Sequence, residues 1–179
     1  PQGSNEELDH VGKIIADRME GKRKGLGATD AALPVFESLY LDTLDLLEEH
    51  FIDTPYLFGG RPSVADFELM GPLFGHMARD PEPATIMKQR APRVCRWTEA
   101  MNTPHIQSPE FADFPTEFAP DDEIPGRTLD LLKLCIEAAG EVLPRTAEIY
   151  NEWVQDKTDK PEGTMVSKEM DEAVIGRFN

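Results

Sequence analysis

The sequence predicts an all-α protein, and three observations support this fold class. Apolar residues recur at three- and four-residue spacing in several segments, no convincing strand alternation is present, and residues typical of helix starts and stops bound the apolar segments. The chain has 179 residues, which suits one domain with an extension, or part of a longer protein. We therefore expect a helical bundle followed by further helices.

Two amphipathic helices are predicted at the beginning of the chain, and we expect them to pack as an antiparallel pair. The first covers residues 6–24, with Asn5 as its N-cap, and its apolar positions are Leu8, Val11, Ile15 and Met19. The second covers residues 31–51 and starts after Thr29 or Asp30. Its apolar positions are Leu33, Phe36, Tyr40, Leu44, Leu47 and Phe51.

The third predicted helix, over residues 63–78, has the most strongly specified start. The pair Gly59-Gly60 predicts a turn, and Ser63 and Asp66 have the spacing of a capping box, in which each side chain accepts a hydrogen bond from the other's backbone N–H. Such a start is typical of a buried helix end, whose first N–H groups have no access to water. We therefore assign Ser63 and Asp66 a structural role, and we expect Pro72 to bend the helix.

Three further segments complete the helical prediction. After a break at residues 80–83, helices are expected over residues 84–89 and 92–101. Residues 105–126 contain four prolines, three phenylalanines and six acidic residues without a basic neighbour, which predicts an extended loop lying on the core. Helices over residues 128–139, capped by Thr128, and 144–155 follow, with a short one over residues 167–178. The face predicted for residues 128–139 is Leu129, Leu132, Cys135 and Ile136.

Residues 56–67 also carry a family resemblance. The stretch Tyr-Leu-Phe-Gly-Gly-Arg-Pro-Ser-Val-Ala-Asp-Phe resembles the G-x-x-x-[ST]-x-x-D box in the all-helical C-terminal domain of soluble glutathione transferases. The similarity continues, in order, through Gly71-Pro72-Leu73, Arg79-Asp80-Pro81, Ala91-Pro92 and Trp97. It covers residues 6–104 and is weak beyond them. The chain is thus expected to comprise a helical core of the glutathione transferase C-terminal type (1–104), an acidic loop containing Pro and Phe (105–126) and a helical extension (127–179).

The resemblance implies a division of labour between two domains. A thioredoxin-like N-terminal domain, which this chain does not resemble, binds the co-substrate glutathione and supplies the Tyr, Ser or Cys that stabilises its thiolate. The helical domain supplies much of the wall for a small electrophile and contributes to a homodimer. The resemblance therefore places no catalytic residue in this chain, and we expect the chain alone to be inactive. The alternative is a non-catalytic protein-interaction or scaffold module of the same fold.

The resemblance also nominates substrate-binding candidates. In the family, the first helix of this domain faces the cleft between domains, which points to Ile14 and Arg18, the latter as a partner for a carboxylate. His76 and Arg79 share one face at the end of the third helix. The structural alternatives are a surface arginine paired with nearby acids for Arg18, and a C-terminal helix cap for His76 and Arg79.

Composition excludes several other functions. The net charge is −16, and residues 105–179 contribute −10 of it, which argues against binding to nucleic acid or to an anionic membrane. The chain lacks an apolar run long enough to cross a membrane. Cys95 and Cys135 have no partner at a redox-motif or metal-ligand spacing, and the four histidines are isolated. We therefore expect no metal and a reducing, cytoplasmic setting.

Overall fold

A computed structural model describes residues 3–25, 28–103, 108–140 and 142–156, and within them the protein is all-α, as predicted. The α-helices of the described ranges are α1 (Asn5–Gly25), α2 (Leu33–Asp53), α3 (Val64–Pro72), α4 (Pro81–Arg90), α5 (Pro92–Asn102), α6 (Gly126–Ala139) and α7 (Val142–Asp156). The chain divides into two compact units. One comprises Pro1–Glu37 with Ala139–Asn179, and the other is Ser38–Ala138. The helix predicted over residues 167–178 lies outside the described residues, and the boundaries expected at residues 104 and 126 stay predictions.

The larger unit, Ser38–Ala138, is built around one apolar cluster. Helix α2 contributes Leu44, Leu47 and Phe51, and the ring of Phe51 stacks on Trp97 of α5 with 4.9 Å between ring centroids. Burial of these side chains supplies the main stabilisation of the unit. The other buried members of the cluster are Leu57, Leu73, Met87, Ala91, Val94 and Leu131.

Acidic side chains of α2 fasten α4 and α5 to it. Asp45 accepts two hydrogen bonds of 2.6 Å from the guanidinium of Arg90, which is the bidentate geometry that arginine favours. Glu48 accepts the backbone N–H groups of Arg93 and Val94 at 2.8 and 3.2 Å. Because Ala91 provides no capping side chain, Glu48 satisfies the first N–H groups of α5 from a neighbouring helix.

Helix α3 continues into a single wider turn directly after the proline at which we predicted a bend. Pro72 has no N–H to donate to the carbonyl of Glu68, and residues Leu73–Met77 form a π-helical turn directly after it. This turn closes with a 2.7 Å bond from the Ala78 N–H to the carbonyl of Leu73. At the position of the predicted bend, the structure therefore shows a local widening of the helix.

Several predicted helix ends were wrong in detail. The predicted break at residues 80–83 is the first turn of α4, because prolines at helix starts lack only N–H groups that have no helical partner. Ser4 rather than Asn5 caps α1, through a reciprocal pair of hydrogen bonds with Glu7. The Ser4 N–H and the Ser4 hydroxyl both donate to the Glu7 carboxylate and hold the pKa of that carboxyl below its usual value.

The amphipathic faces of α6 and α1 also differ from expectation. In α6 the buried residues are Thr128 and Leu131, whereas the predicted face, including Leu132 and Ile136, is exposed. The face was assigned from spacing alone, which cannot tell which side meets the core when both sides carry apolar residues. In α1, the whole apolar face remains exposed, so it adds nothing to a core.

The acidic loop lies on the glycine turn before α3. The Gly60 N–H donates to the carbonyl of Glu117 at 2.8 Å, and the Ala119 N–H donates to the carbonyl of Phe58 at 2.8 Å. Arg61 lies over the ring of Phe118, 4.6 Å from its centroid. These contacts confine residues 115–119, which we call the strap, to the edge of the turn.

Both glycines of the turn are required by the strap. Gly59 has a φ of 127°, a backbone conformation that residues with a side chain rarely adopt. A Cβ at this position would lie 2.7 Å from the carbonyl oxygen of Glu117. A Cβ on Gly60 lies 1.6 Å from the carbonyl oxygen of Pro115. The pair that predicted a turn therefore also allows a second segment of backbone to approach.

We predict that Gly60→Ala displaces the strap, because backbone at 1.6 Å must move away from the new methyl group. Hydrogen–deuterium exchange of residues 115–119 should rise at least tenfold, and the free energy of unfolding should fall by about 1–3 kcal/mol. Gly71→Ala is the matched control, since nothing lies within 4 Å of a Cβ there and alanine favours a helix. Equal exchange in the two variants would contradict the docking of the strap.

Candidate functional site

The carboxylate of Asp66 is fully buried and lies at the centre of a hydrogen-bonded network in the larger unit. Its Oδ2 accepts the backbone N–H of Ser63 at 2.8 Å and the Ser63 hydroxyl at 2.7 Å, while its Oδ1 accepts the N–H of Leu57 at 2.9 Å. The Asp66 N–H points back to the Ser63 Oγ at 3.4 Å. Both bonds of the capping box are thus formed, and the additional bond from Leu57 ties the preceding turn to the helix.

Two more elements hold the same turn, which spans residues 56–60. The Thr128 hydroxyl of α6 donates to the carbonyl of Leu57 at 2.6 Å, so this residue joins two elements rather than capping its helix as predicted. From α2, the His50 ring contacts the carbonyl of Tyr56 through Nε2 at 2.9 Å. A carbonyl only accepts, so Nε2 carries the proton in this contact. Polar side chains of three helices therefore converge on one short turn.

Burial controls the protonation of His50. Removal of the ring from water lowers its pKa below the usual value, partly opposed by the Tyr56 carbonyl and the negative charges of Asp66 and Asp53. The folded protein thus favours the neutral imidazole. This state still donates from Nε2 to Tyr56.

The convergence of serine, histidine and aspartate does not create an activated nucleophile. The Ser63 hydroxyl donates directly to Asp66, and the His50 ring contacts a backbone carbonyl instead of Ser63. A serine nucleophile needs a base that accepts its proton and is itself oriented by a third group. The geometry is that of a helix start, and it fits the structural role assigned to Ser63 and Asp66.

The four substrate-binding candidates lie in two places. Ile14 and Arg18 are exposed on α1, in the smaller unit, whereas His76 and Arg79 are exposed at the end of the π-helical turn, in the larger unit. The Arg79 guanidinium stacks on the ring of Phe74, 4.7 Å from its centroid, and the His76 carbonyl accepts the N–H groups of Arg79 and Asp80. The structure thus brings His76 and Arg79 together locally, and their substrate role stays a prediction.

Two structural contacts near the turn were missed by sequence reasoning. Thr128 follows the turn by 71 residues and its bond to Leu57 has no local signal. Gly60 was interpreted only as part of a turn, although its lack of a side chain admits the strap. Glycine pairs beside a capping box offer a weak hint of close backbone approach, but they do not identify the partner.

Comparison with known families identifies the part of the chain that contains this turn. Residues 28–100 match the family model for the glutathione S-transferase, C-terminal domain, which is the family that the motifs of this segment resemble. The match begins after α1 and ends within α5, and the strap, α6 and α7 lie outside it. Searches of curated proteins and of solved structures returned no match.

The described residues contain neither a metal-binding cluster nor a membrane-spanning helix. No group of three or more His, Cys, Asp or Glu side chains in the described ranges is placed to hold a metal ion. Among the same residues, none of the helices is both long and apolar enough to span a bilayer.

We predict that Asp66→Asn lowers the free energy of unfolding by about 2–4 kcal/mol. The three groups bound to the Asp66 carboxylate all donate hydrogen bonds. Because an amide NH₂ also donates, asparagine would leave at least one of these buried donors without an acceptor. Denaturant unfolding followed by circular dichroism measures the change. Asp113→Asn on the exposed loop is the control, and its effect should stay within about 0.5 kcal/mol. Similar losses in both variants would refute the buried cap.

We predict that His50 makes stability fall on acidification. Its pKa is lower in the folded than in the unfolded chain, so below the ordinary value near 6.5 the unfolded chain binds the proton more readily. The stability advantage of the parent over His50→Gln, which keeps an N–H donor but does not titrate, should therefore shrink between pH 7.5 and pH 5.5. Denaturant unfolding at three pH values measures this difference. An advantage that is constant or grows with acidity would contradict the assignment.

Proposed function

We propose that this chain is the helical half of a glutathione transferase-like protein and forms the wall of its electrophile site. The match of residues 28–100 to the family's C-terminal domain carries the proposal. A thioredoxin-like domain is the proposed partner that binds glutathione. The proposed protein is a cytoplasmic homodimer in which the helical domain also serves as a scaffold.

The proposed reaction requires a glutathione thiolate. The environments of Cys95 and Tyr40 support the proposal that the group which stabilises this thiolate lies outside this chain. In the proposed reaction, the glutathione sulfur attacks an electrophilic carbon and forms a C–S bond, while a leaving group departs with its electron pair. Burial raises the pKa of the Cys95 thiol, with the charge of Glu99 adding to the effect, which is the opposite of what an attacking thiolate needs. The Tyr40 hydroxyl, whose pKa burial also raises, already donates to the carbonyl of Pro83.

The residues of α1 suit a wall. Ile14 is 54% exposed and offers apolar contact to an electrophile, and Arg18 is exposed one turn further along the helix. A guanidinium at this position is able to bind a carboxylate of glutathione or of the substrate in a bidentate manner. His76 and Arg79 are a second candidate location, since stacking on Phe74 uses the face of the Arg79 guanidinium and leaves its N–H edge for an anion.

The alternative, a non-catalytic interaction module, is favoured by one observation. Helix α6 exposes a line of apolar side chains at helical spacing, namely Leu129, Leu132 and Ile136. Exposed apolar surface of this kind marks contact sites for other macromolecules. A native protein without a thioredoxin-like segment would favour this alternative.

We predict that Ile14→Ala, in the full-length protein with its thioredoxin-like segment, raises the KM for 1-chloro-2,4-dinitrobenzene about fivefold, because apolar contact is lost. Arg18→Ala should raise the KM for glutathione or for an anionic electrophile by a similar factor. Ile52→Ala is the matched control, since Ile52 is 53% exposed on α2. Arg145→Ala is the matched control for Arg18→Ala, since the Arg145 side chain is also exposed.

Two outcomes would overturn the proposal. One is that the variants on α1 change neither KM more than their controls do. The other is that the 179-residue chain alone binds glutathione with micromolar affinity in calorimetry, since the proposed division of labour leaves that site to the other domain.

A further inference from the structure

The larger unit has an open cavity of about 350 Å³, lined by the glycine turn, the strap and the residues that follow the strap. Its apolar lining residues include Phe58, Phe118 and Ile124. Phe118 and Ile124 are 45% and 42% exposed, so both leave apolar surface uncovered. Small-molecule sites have volumes of this order and are lined mainly by aromatic and aliphatic side chains. The cavity therefore has room for a small apolar body.

The same cavity is lined by two carboxylates, those of Asp122 and Glu123. Neither forms an ion pair with another residue of the described ranges, and residues 105–126 contain no Lys or Arg that would neutralise them. The nearby Arg61 guanidinium instead lies over the ring of Phe118, 4.6 Å from its centroid, which shows that this ring accepts a cation on its face. The lining thus combines aromatic surface with uncompensated negative charge.

Backbone hydrogen bonds hold both sides of the cavity. The Ala119 N–H donates to the carbonyl of Phe58 at 2.8 Å and keeps the strap against the turn. The Glu123 N–H donates to the carbonyl of Pro120 at 3.0 Å and closes the bend that carries the two carboxylates. Within this bend Asp122 has a φ of 57°, a left-handed conformation that Asp and Asn adopt more readily than most residues. The shape of the cavity therefore depends on the docked strap.

We propose that this cavity binds a small organic cation, an ammonium group carried on an aromatic or aliphatic body. The body contacts Phe58, Phe118 and Ile124, and the ammonium group lies beside Asp122 and Glu123. Aromatic faces and carboxylates both attract an ammonium ion, and the same carboxylates repel an anion of equal size. The site shares no residue with the proposed electrophile wall, so it stands or fails independently of the proposed conjugation reaction.

The test is an NMR titration of the 179-residue chain with benzyltrimethylammonium, whose charge is permanent. We expect amide shifts of residues 118–124 to change with a Kd of about 1 mM or lower, and phenylacetate to bind about tenfold more weakly or not at all. Asp122→Asn, which keeps a residue suited to the left-handed φ, and Glu123→Gln should each weaken binding of the cation about threefold. Asp113→Asn is the matched control on the same loop, because Asp113 does not line the cavity, and it should leave the Kd within about twofold of the parent.

A further variant separates this site from general attraction of a cation to an acidic chain. Gly60→Ala keeps every charge but should displace the strap, which supplies Phe118 to the cavity, and binding should weaken about fivefold or more. Circular dichroism reports the fold of each variant, and the two carboxylate variants decide the matter if Gly60→Ala does not fold. Equal affinity for phenylacetate, carboxylate variants that bind like Asp113→Asn, or unchanged affinity in Gly60→Ala despite faster exchange of the strap would overturn the proposal.

Discussion

The buried carboxylate of Asp66 is the interaction on which the larger unit depends. A carboxylate removed from water is costly unless donors replace the lost hydration, and here two N–H groups and a hydroxyl do so. One of these donors, Leu57, belongs to the preceding turn rather than to α3. The same group that starts the helix therefore also fixes the geometry of residues 56–60.

A fixed turn gives three separate segments a place to bind. His50 from α2 and Thr128 from α6 reach the carbonyls of Tyr56 and Leu57, and the strap reaches the N–H of Gly60. Each contact requires the turn to present its polar groups in a set direction, because hydrogen bonds weaken steeply with misalignment. The order of dependence runs from Asp66 to the turn, and from the turn to the elements around it.

The sequence predicted what is encoded locally. The spacing of Ser63 and Asp66, the proline inside α3 and the periodicity of α1 and α2 each act within one or two helical turns, and they led to the correct elements. The contacts that were not predicted from the sequence join segments that are distant along the chain. Glu48 caps α5 from 45 residues away, and the buried side of α6 is selected by the bond of Thr128 to Leu57. Residue spacing contains no information about such distant partners. For this reason Thr128 was predicted to cap its own helix, and the wrong face of α6 was predicted to be buried.

The same distinction separates architecture from activity. Ser63, Asp66 and His50 have the residue types of a hydrolytic site, yet each is already engaged in a hydrogen bond that holds the helix start or the turn. A group so committed would have to break a buried hydrogen bond before taking part in a reaction, at a cost of about 1–3 kcal/mol for each donor left unsatisfied. Chemistry associated with this fold must therefore use groups that remain accessible. On the described part of the chain, the exposed side chains of α1 and the exposed pair His76 and Arg79 meet that condition, which is why the candidates for the proposed wall are found there.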